Sequence, residues 1–395
     1  MKGLVISHLY LFPGFKVKRG GNMIHKSLVN FTAASCELDV VFMLPINFSY
    51  FNFFSFDFKN LVFKPYKLDG VIIYPCFYIP RLSKKLGKID SSIKMLSFRL
   101  VRRAYLKSKE HDFVYSQTLY PDGPLAKQIA DHNDLPLLVQ MRGSDVHTYS
   151  RHNSQILRTS KAVLSRASLI LSVSQQLLSM SNRLFERSDK AVILYTSCPT
   201  DVYIKYVSVQ KNLNNFYFVG ALVESKGVIE LIEGFRLIAL KYPESKLIIV
   251  GEGALRSTLD RKVQQYGLDD KVTFKGVISA QEEMVKVIND ADVFLFPSYN
   301  EGLPNVVVEA VACERLVIAT DVGGVKEIAP LNRAFNMIAP RNAEALFRSV
   351  EKLKTLEYDA LLSDAASNRE NVISKFSPAS QQTTFQEIRT RISKL

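Results

Sequence analysis

No apolar run in these 395 residues reaches the ~18–20 needed for a helix to cross a bilayer, so no stretch reads as a membrane span. A cleavable leader is not expected either: Met1 to Tyr10 is apolar, but His8 interrupts it and no small-residue cleavage site follows. That stretch reads as a first core strand. Cysteine is scarce. Cys36, Cys76, Cys198 and Cys313 lie far apart, without the short spacings of a metal site. Buried free thiols in a reducing cytoplasm are the expected state. His147 and His152 stand in a polar stretch, where lone histidines are ordinarily surface residues. No side chain stands out as a covalent nucleophile.

What is present describes a soluble globular chain, 47% hydrophobic and 23% charged, long enough for two domains with separate cores. The net charge of +13 is unevenly placed. Residues 1–200 hold 27 lysines and arginines against 13 acids, and the rest hold 24 against 25. One basic half joined to a neutral half argues against a nucleic-acid binder and suits an anionic membrane surface or an anionic acceptor. Residues 46–63 are dense in phenylalanine, Tyr74 to Pro80 is again aromatic, and lysines and arginines follow from Arg81 to Lys107. A helix is expected over Ile89 to Leu106, with Ile93, Leu96, Leu100 and Ala104 on an apolar face and basic residues opposite. Such a surface can lie on a membrane without spanning it. Core aromatics beneath a solvated lysine face explain the same pattern.

The order of elements is strand, glycine-containing turn, helix, strand, beginning with Gly3 to Ser7, the loop Pro13 to Gly21, a helix near Met23 to Ser35 and a strand at Asp39 to Leu44. Further strands are expected near Asp112 to Gln117, Pro136 to Gln140, Leu169 to Val173 and Ala191 to Tyr195. The strings Tyr120-Pro121-Asp122-Gly123 and Arg142-Gly143-Ser144-Asp145 follow two of these strand ends. Arg142 can contact a phosphate or an acidic sugar, with Asp145 orienting it or binding an acceptor hydroxyl; equally, the two can pair and shape the loop. Residues 202–214 read as a linker, and alternating strands and helices then resume at Asn215.

The most informative stretch is Pro297 to Gly324. A buried strand, Asp292 to Phe296, leads into it, and a helix is expected from Leu303-Pro304, where proline's missing N–H costs nothing. A helix start presents unpaired amides and partial positive charge to a phosphate. Glu301 stands just ahead of it and Glu309 inside it, and the next strand ends in Asp321-Val322-Gly323-Gly324. Ligands of open parallel sheets gather beyond the carboxyl ends of the strands.

Glu301-x7-Glu309, Pro297-Ser298 before it and Asp321 to Gly324 after it resemble the donor site of retaining glycosyltransferases with the GT-B fold, family four, the glycosyl transferases group 1. Gly220 to Gly227 is similar to that family's Gly-Arg-Leu-x3-Lys-Gly, with Lys226 matching and Ala221 in the arginine position. Either weaker phosphate binding or a substitute cation, Arg142 or Arg19, is expected. Thr196-Ser197 replaces the usual Asn-Gly, and Glu314 replaces a glycine at a helix end, where the turn is expected to be rebuilt.

The resemblance implies two doubly wound Rossmann-like domains facing a cleft. Residues 1–203 would form an acceptor domain and 204–375 a nucleotide-sugar domain, and a helix over 376–395 would return to the first domain. It further implies that Glu301, Lys226, Arg142 and Asp145 are catalytic. Gly20, Gly21, Gly220, Lys226, Gly251, Gly276, Val277, Glu301, Gly302, Leu303, Asn305 and Glu309 would bind the donor, Glu301 through sugar hydroxyls and Glu309 through ribose hydroxyls. Neither cofactor nor metal is expected, and no Asp-x-Asp metal pair. The expected partners are a nucleotide-sugar, a saccharide or lipid-linked saccharide acceptor and an anionic membrane surface, in the cytoplasm at the inner face of its membrane. A nucleotide-sugar-binding subunit without catalysis and a sugar-nucleotide epimerase on the same fold remain alternatives.

Overall fold

In the computed structural model the described residues are 1–9, 19–45, 64–78, 87–106, 110–149, 153–185 and 190–395. They form two compact units, one of residues 1–197 with 381–395 and the other of residues 198–380. The phenylalanine-rich run 46–63, most of the loop Pro13 to Gly21, the side chain of Arg19, and Arg81, Lys84, Lys85, Lys107 and His152 lie outside the described residues.

The first unit holds an eight-stranded sheet: β1 (Lys2–Ser7), β2 (Glu37–Pro45), β3 (Tyr66–Leu68), β4 (Val71–Tyr78), β5 (Phe113–Ser116), β6 (Leu137–Met141), β7 (Leu169–Ser172) and β8 (Ala191–Ile193). Their order is β3-β4-β2-β1-β5-β6-β7-β8, parallel except for the antiparallel β3–β4 pair. Helices cover a parallel sheet on both faces, which is why β5 and β6 are unbroken apolar-rich runs, buried at every position. β3 and β4 join through Asp69-Gly70 with φ of 45° and 84°, the left-handed pair that a two-residue hairpin turn requires.

In this region one of two open readings is decided and one expectation changes. The aromatic stretch after Val71 is sheet and core, with Tyr74 3% and Tyr78 9% exposed. The helix Gly87–Val101, continued by a wider turn at Arg102–Leu106, faces opposite to the expected way. Lys94, Phe98 and Leu106 point inward, while Leu96 and Leu100 are 60% and 65% exposed. The reason is local. The Lys94 ammonium sits 5.0 Å from the Tyr78 ring centroid, so its stem and charge are absorbed by an aromatic face that helical periodicity alone does not reveal.

The last residues complete this unit. On the helix Pro378–Ile392, Phe385 stacks on Phe31 at 4.3 Å between centroids, and Ile388 and Ile392 join the same cluster. Gln381 accepts from Asn30 Nδ2 at 2.8 Å and donates to the Tyr195 carbonyl.

The second unit holds six parallel strands: β9 (Asn215–Val219), β10 (Lys246–Val250), β11 (Val272–Gly276), β12 (Val293–Phe296), β13 (Leu316–Thr320) and β14 (Phe335–Ile338). The order β11-β10-β9-β12-β13-β14 reverses direction between β9 and β12. Residues 202–214, expected as a linker, pack onto this unit. Tyr203, Val209 and Leu213 are buried, and Arg315 donates to the Val207 carbonyl at 2.6 Å.

An Asp-x-Asp string does occur, at Asp290-Ala291-Asp292, against the expectation of none. Asp292 precedes β12, at its amino end, and accepts from the backbone N–H groups of Gln210 and Asn215. It organises the start of the sheet.

Glu314 keeps the left-handed conformation that glycine would favour, with φ of 56°. The Arg315 N–H reaches the Ala310 carbonyl at 3.0 Å, closing the end of the helix Asn305–Ala312. The turn is not rebuilt; instead Glu314 meets Lys205 Nζ at 2.5 Å. Arg315 beside it is 2% exposed, and its guanidinium is spread over the carbonyls of Cys313, Asn289, Ala291 and Val207. Burial pushes its pKa below the ordinary arginine value.

All four cysteines are free and buried. Among the described residues no helix is long and apolar enough to cross a membrane.

Candidate functional site

The reversal of strand order in the second unit places two crossover loops side by side, one after β9 and one after β12. Backbone approach locks them together. Gly227 has φ of 65°, and a Cβ there would lie 1.9 Å from the Pro297 carbonyl oxygen. The Ser225 carbonyl accepts from Tyr299 N at 2.8 Å and from Ser298 Oγ at 3.1 Å.

Onto this frame come three side chains. Lys226 Nζ meets Glu301 Oε1 at 2.5 Å, and Ser298 Oγ lies 2.7 Å from the same oxygen. Glu301 Oε2 takes no hydrogen bond among the described residues. The sequence assigns Lys226 to phosphate and Glu301 to sugar hydroxyls; the fold brings them into direct contact. The pair keeps a path to solvent, its side chains 25% and 11% exposed. Ser298, fully buried, aims the carboxylate; the sequence marked it only within the Pro297-Ser298 pair of the motif and gave it no role.

The loop after β13 closes over Glu301 from the other side. Gly323 has φ of 54° and no room for a Cβ, which would lie 2.1 Å from the Glu301 carbonyl oxygen, and Gly324 N donates to the Gly302 carbonyl at 2.9 Å. Gly251 behaves alike, since with φ of 139° a Cβ on it would lie 1.8 Å from the Gly220 carbonyl oxygen. These glycines let strand-end loops touch one another. Gly276 has φ of 68° and its carbonyl accepts from Gly251 N at 2.8 Å, and Val277 beyond it is 67% exposed.

The helix Asn305–Ala312 begins just after the expected Leu303-Pro304 start, with Pro304 as its cap residue, whose own side chain makes no capping hydrogen bond. The start of a helix carries a partial positive charge that suits an anion. Gly302 and Leu303 are buried just before it, and Glu309 on its buried side is 4% exposed. Ala221 is exposed and supplies no cation. Arg256 lies 4.2 Å over the Phe274 ring but is engaged by Asp260 and Glu252.

In the first unit, Arg142 is held by neutral oxygens. Its Nε donates to the Gln117 carbonyl at 2.9 Å, and its Nη2 donates to Gln117 Oε1 at 2.6 Å and to Gln140 Oε1 at 2.9 Å. The Tyr115 hydroxyl donates to that Gln140 oxygen at 2.5 Å, and burial pushes the phenol up to about 12. Asp145 accepts from the backbone N–H groups of Leu119, Arg142 and Gly143 at 2.9–3.1 Å. Burial pushes its carboxyl above the ordinary range against the pull of those donors. Such a carboxylate braces the loop that presents Arg142. Gly20 and Gly21 lie in the first turn of the helix Arg19–Ala33, not in a loop ahead of it.

Two Rossmann-like sheets with these strand orders define the GT-B fold, and comparison with solved structures agrees. The sucrose-phosphate synthase of Thermosynechococcus elongatus aligns over 100% of this chain and 99% of its own, with a TM-score of 0.79 at 18% identity. HepE of Anabaena, solved with UDP and glucose, aligns over 100% of both chains with a TM-score of 0.73 at 18% identity. Residues 203–372 match the family model of the glycosyl transferases group 1. A Bacillus subtilis protein, TuaC, named for a glycosyltransferase role in teichuronic acid biosynthesis, is 27% identical over 279 residues, 64% of this chain and 65% of that relative. The chain thus matches just under two thirds of that relative's length.

Proposed function

We propose that this chain is a retaining glycosyltransferase that moves a sugar from a nucleotide-sugar, of the uridine type, to a saccharide or lipid-linked saccharide acceptor of a cell-surface polysaccharide. The observation that carries the reading is the Lys226–Glu301–Ser298 cluster at the reversal of strand order, beside the start of the helix Asn305–Ala312. The family match over that unit supports it, as do the UDP found in HepE and the polysaccharide role in TuaC's name.

In this reading the donor diphosphate lies against the amides near Leu303 and Asn305 and draws Lys226 toward it. Glu301 turns to the sugar hydroxyls and Glu309 to the ribose. The bond from the anomeric carbon to phosphate breaks, the acceptor oxygen bonds to that carbon from the same face, and the departing phosphate oxygen takes the acceptor's proton. Lys226 and the helix amides offset the charge on the leaving group, an electrostatic task that needs no protein nucleophile and no metal. Arg142, always charged and contacted by neutral oxygens, receives an anionic group of a substrate.

UDP release from UDP-sugars, followed with membrane extract as acceptor, tests the reading. Lys226→Ala should lower kcat by roughly 10²-fold. Glu309→Ala should raise the donor KM while leaving kcat nearly unchanged, and a chelator should leave turnover intact. Donor binding without any turnover would identify a binding subunit instead.

A further inference from the structure

The helix Gly87–Val101 and its continuation Arg102–Leu106 present a face that is exposed among the described residues. Leu96 and Leu100, one turn apart, are the most exposed large apolar side chains on it, and Tyr105 is 43% exposed. Arg99, Arg102 and Arg103 are exposed among them. None of the three makes an ion pair among the described residues; Arg102 donates only to Asn133 Oδ1, at 2.9 Å. Beside them a cavity of about 240 Å³ is lined by Met95, Phe98, Arg99, Arg102, Ile129 and His132. The nearby carboxylate Asp131 is already matched by Lys127 and Arg166. The inward side of the same helix is satisfied by Lys94, Phe98 and Leu106, so the outward leucines serve no core.

We propose that this face docks the first unit on an anionic phospholipid bilayer. Leu96, Leu100 and Tyr105 enter the boundary between headgroups and acyl chains, Arg99, Arg102 and Arg103 meet lipid phosphates, and the cavity receives one headgroup. The charge of the surface selects this occupant. A second copy of the chain packed across a two-fold axis would set three arginines against themselves. A nucleic acid would use the arginines and leave both leucines in water. The placement deepens the reading of a lipid-linked acceptor, but its test needs neither donor nor acceptor, so either can fail alone.

The full chain is sedimented with vesicles of phosphatidylglycerol and phosphatidylcholine, and with phosphatidylcholine alone. Binding is expected only to the anionic vesicles and should weaken with salt. Leu96→Glu with Leu100→Glu should weaken it more than tenfold, and Arg99→Gln with Arg103→Gln about 25-fold, at about fivefold per arginine. These side chains are exposed, so the variants should keep the parent's circular dichroism. The chain has no tryptophan, so Leu100→Trp adds a single reporter whose emission should shift to the blue on binding, and this readout stands even if a double variant misfolds. Equal binding to neutral vesicles, full binding by the leucine variant, or an unshifted reporter would overturn the proposal. So would release by inorganic phosphate at constant ionic strength, which would reveal a pocket for free anions.

Discussion

Lys226 is already committed to a carboxylate, its ammonium 2.5 Å from Glu301 Oε1. On the proposed reading an incoming diphosphate competes for that charge, and Ala221 offers none beside it. Ala221→Arg should therefore lower the donor KM by about tenfold, since a charged hydrogen bond contributes about 1.5–3 kcal/mol. An unchanged KM would show that the exposed Ala221 position lies away from the phosphates. The residue types of this cluster were legible because lysine before a helix and glutamate before a helix are both strand-end motifs. Their contact was not, because 75 residues separate them and only the neighbouring crossovers bring them together. Asp145 shows the opposite case. Its identity suggested chemistry, and three backbone donors give it a structural task.

Among the elements, the end of the helix Asn305–Ala312 is the plainest conflict between local preference and fold. Glu314 holds a left-handed conformation that costs a non-glycine residue about 1 kcal/mol, and its contact with Lys205, partly exposed, returns at most a similar amount. Glu314→Gly should raise the urea midpoint slightly or leave it unchanged. Glu314→Ala, which keeps the strain and loses the ion pair, should lower stability by roughly 0.5 kcal/mol. An alanine variant more stable than the glycine variant would show that the backbone there is not strained. The helix Gly87–Leu106 teaches a related lesson. Its periodicity was readable, but which stripe faced inward was decided by the Tyr78 ring that receives Lys94. The β3–β4 hairpin had its sign in Asp69-Gly70, overlooked beside the aromatic run that followed.

For the whole molecule, the ends of the chain matter most. Residues 381–395 fill the first unit's core, where Phe385 stacks on Phe31 and Cys36 belongs to the same cluster. Burial pushes the Cys36 thiol up, and those of Cys76 and Cys313 up to about 12 from an ordinary 9. Because the folded values are raised, this contribution to stability is fully present below pH 9 and is lost as pH rises toward 12. At pH 8 none of the four thiols should react with a disulfide reagent in the intact chain. Removing residues 381–395 should make Cys36 react readily, as Phe31 and its neighbours lose their cover. Slow labelling of Cys36 after that truncation would mean the helix is dispensable to the core.

The sequence alone determined the class of fold, the alternation of strands and helices, and the residue types at strand ends, since these depend on local periodicity, turn chemistry and short spacings. Tertiary structure alone decided which groups meet and what each is free to do. Lys226 meets Glu301, Asp145 is taken up by amides, strand-end glycines touch backbone, and Leu96 and Leu100 face outward. The reason is physical: long-range contacts and burial are set by how the strands are ordered in the sheet, which no local stretch of residues encodes.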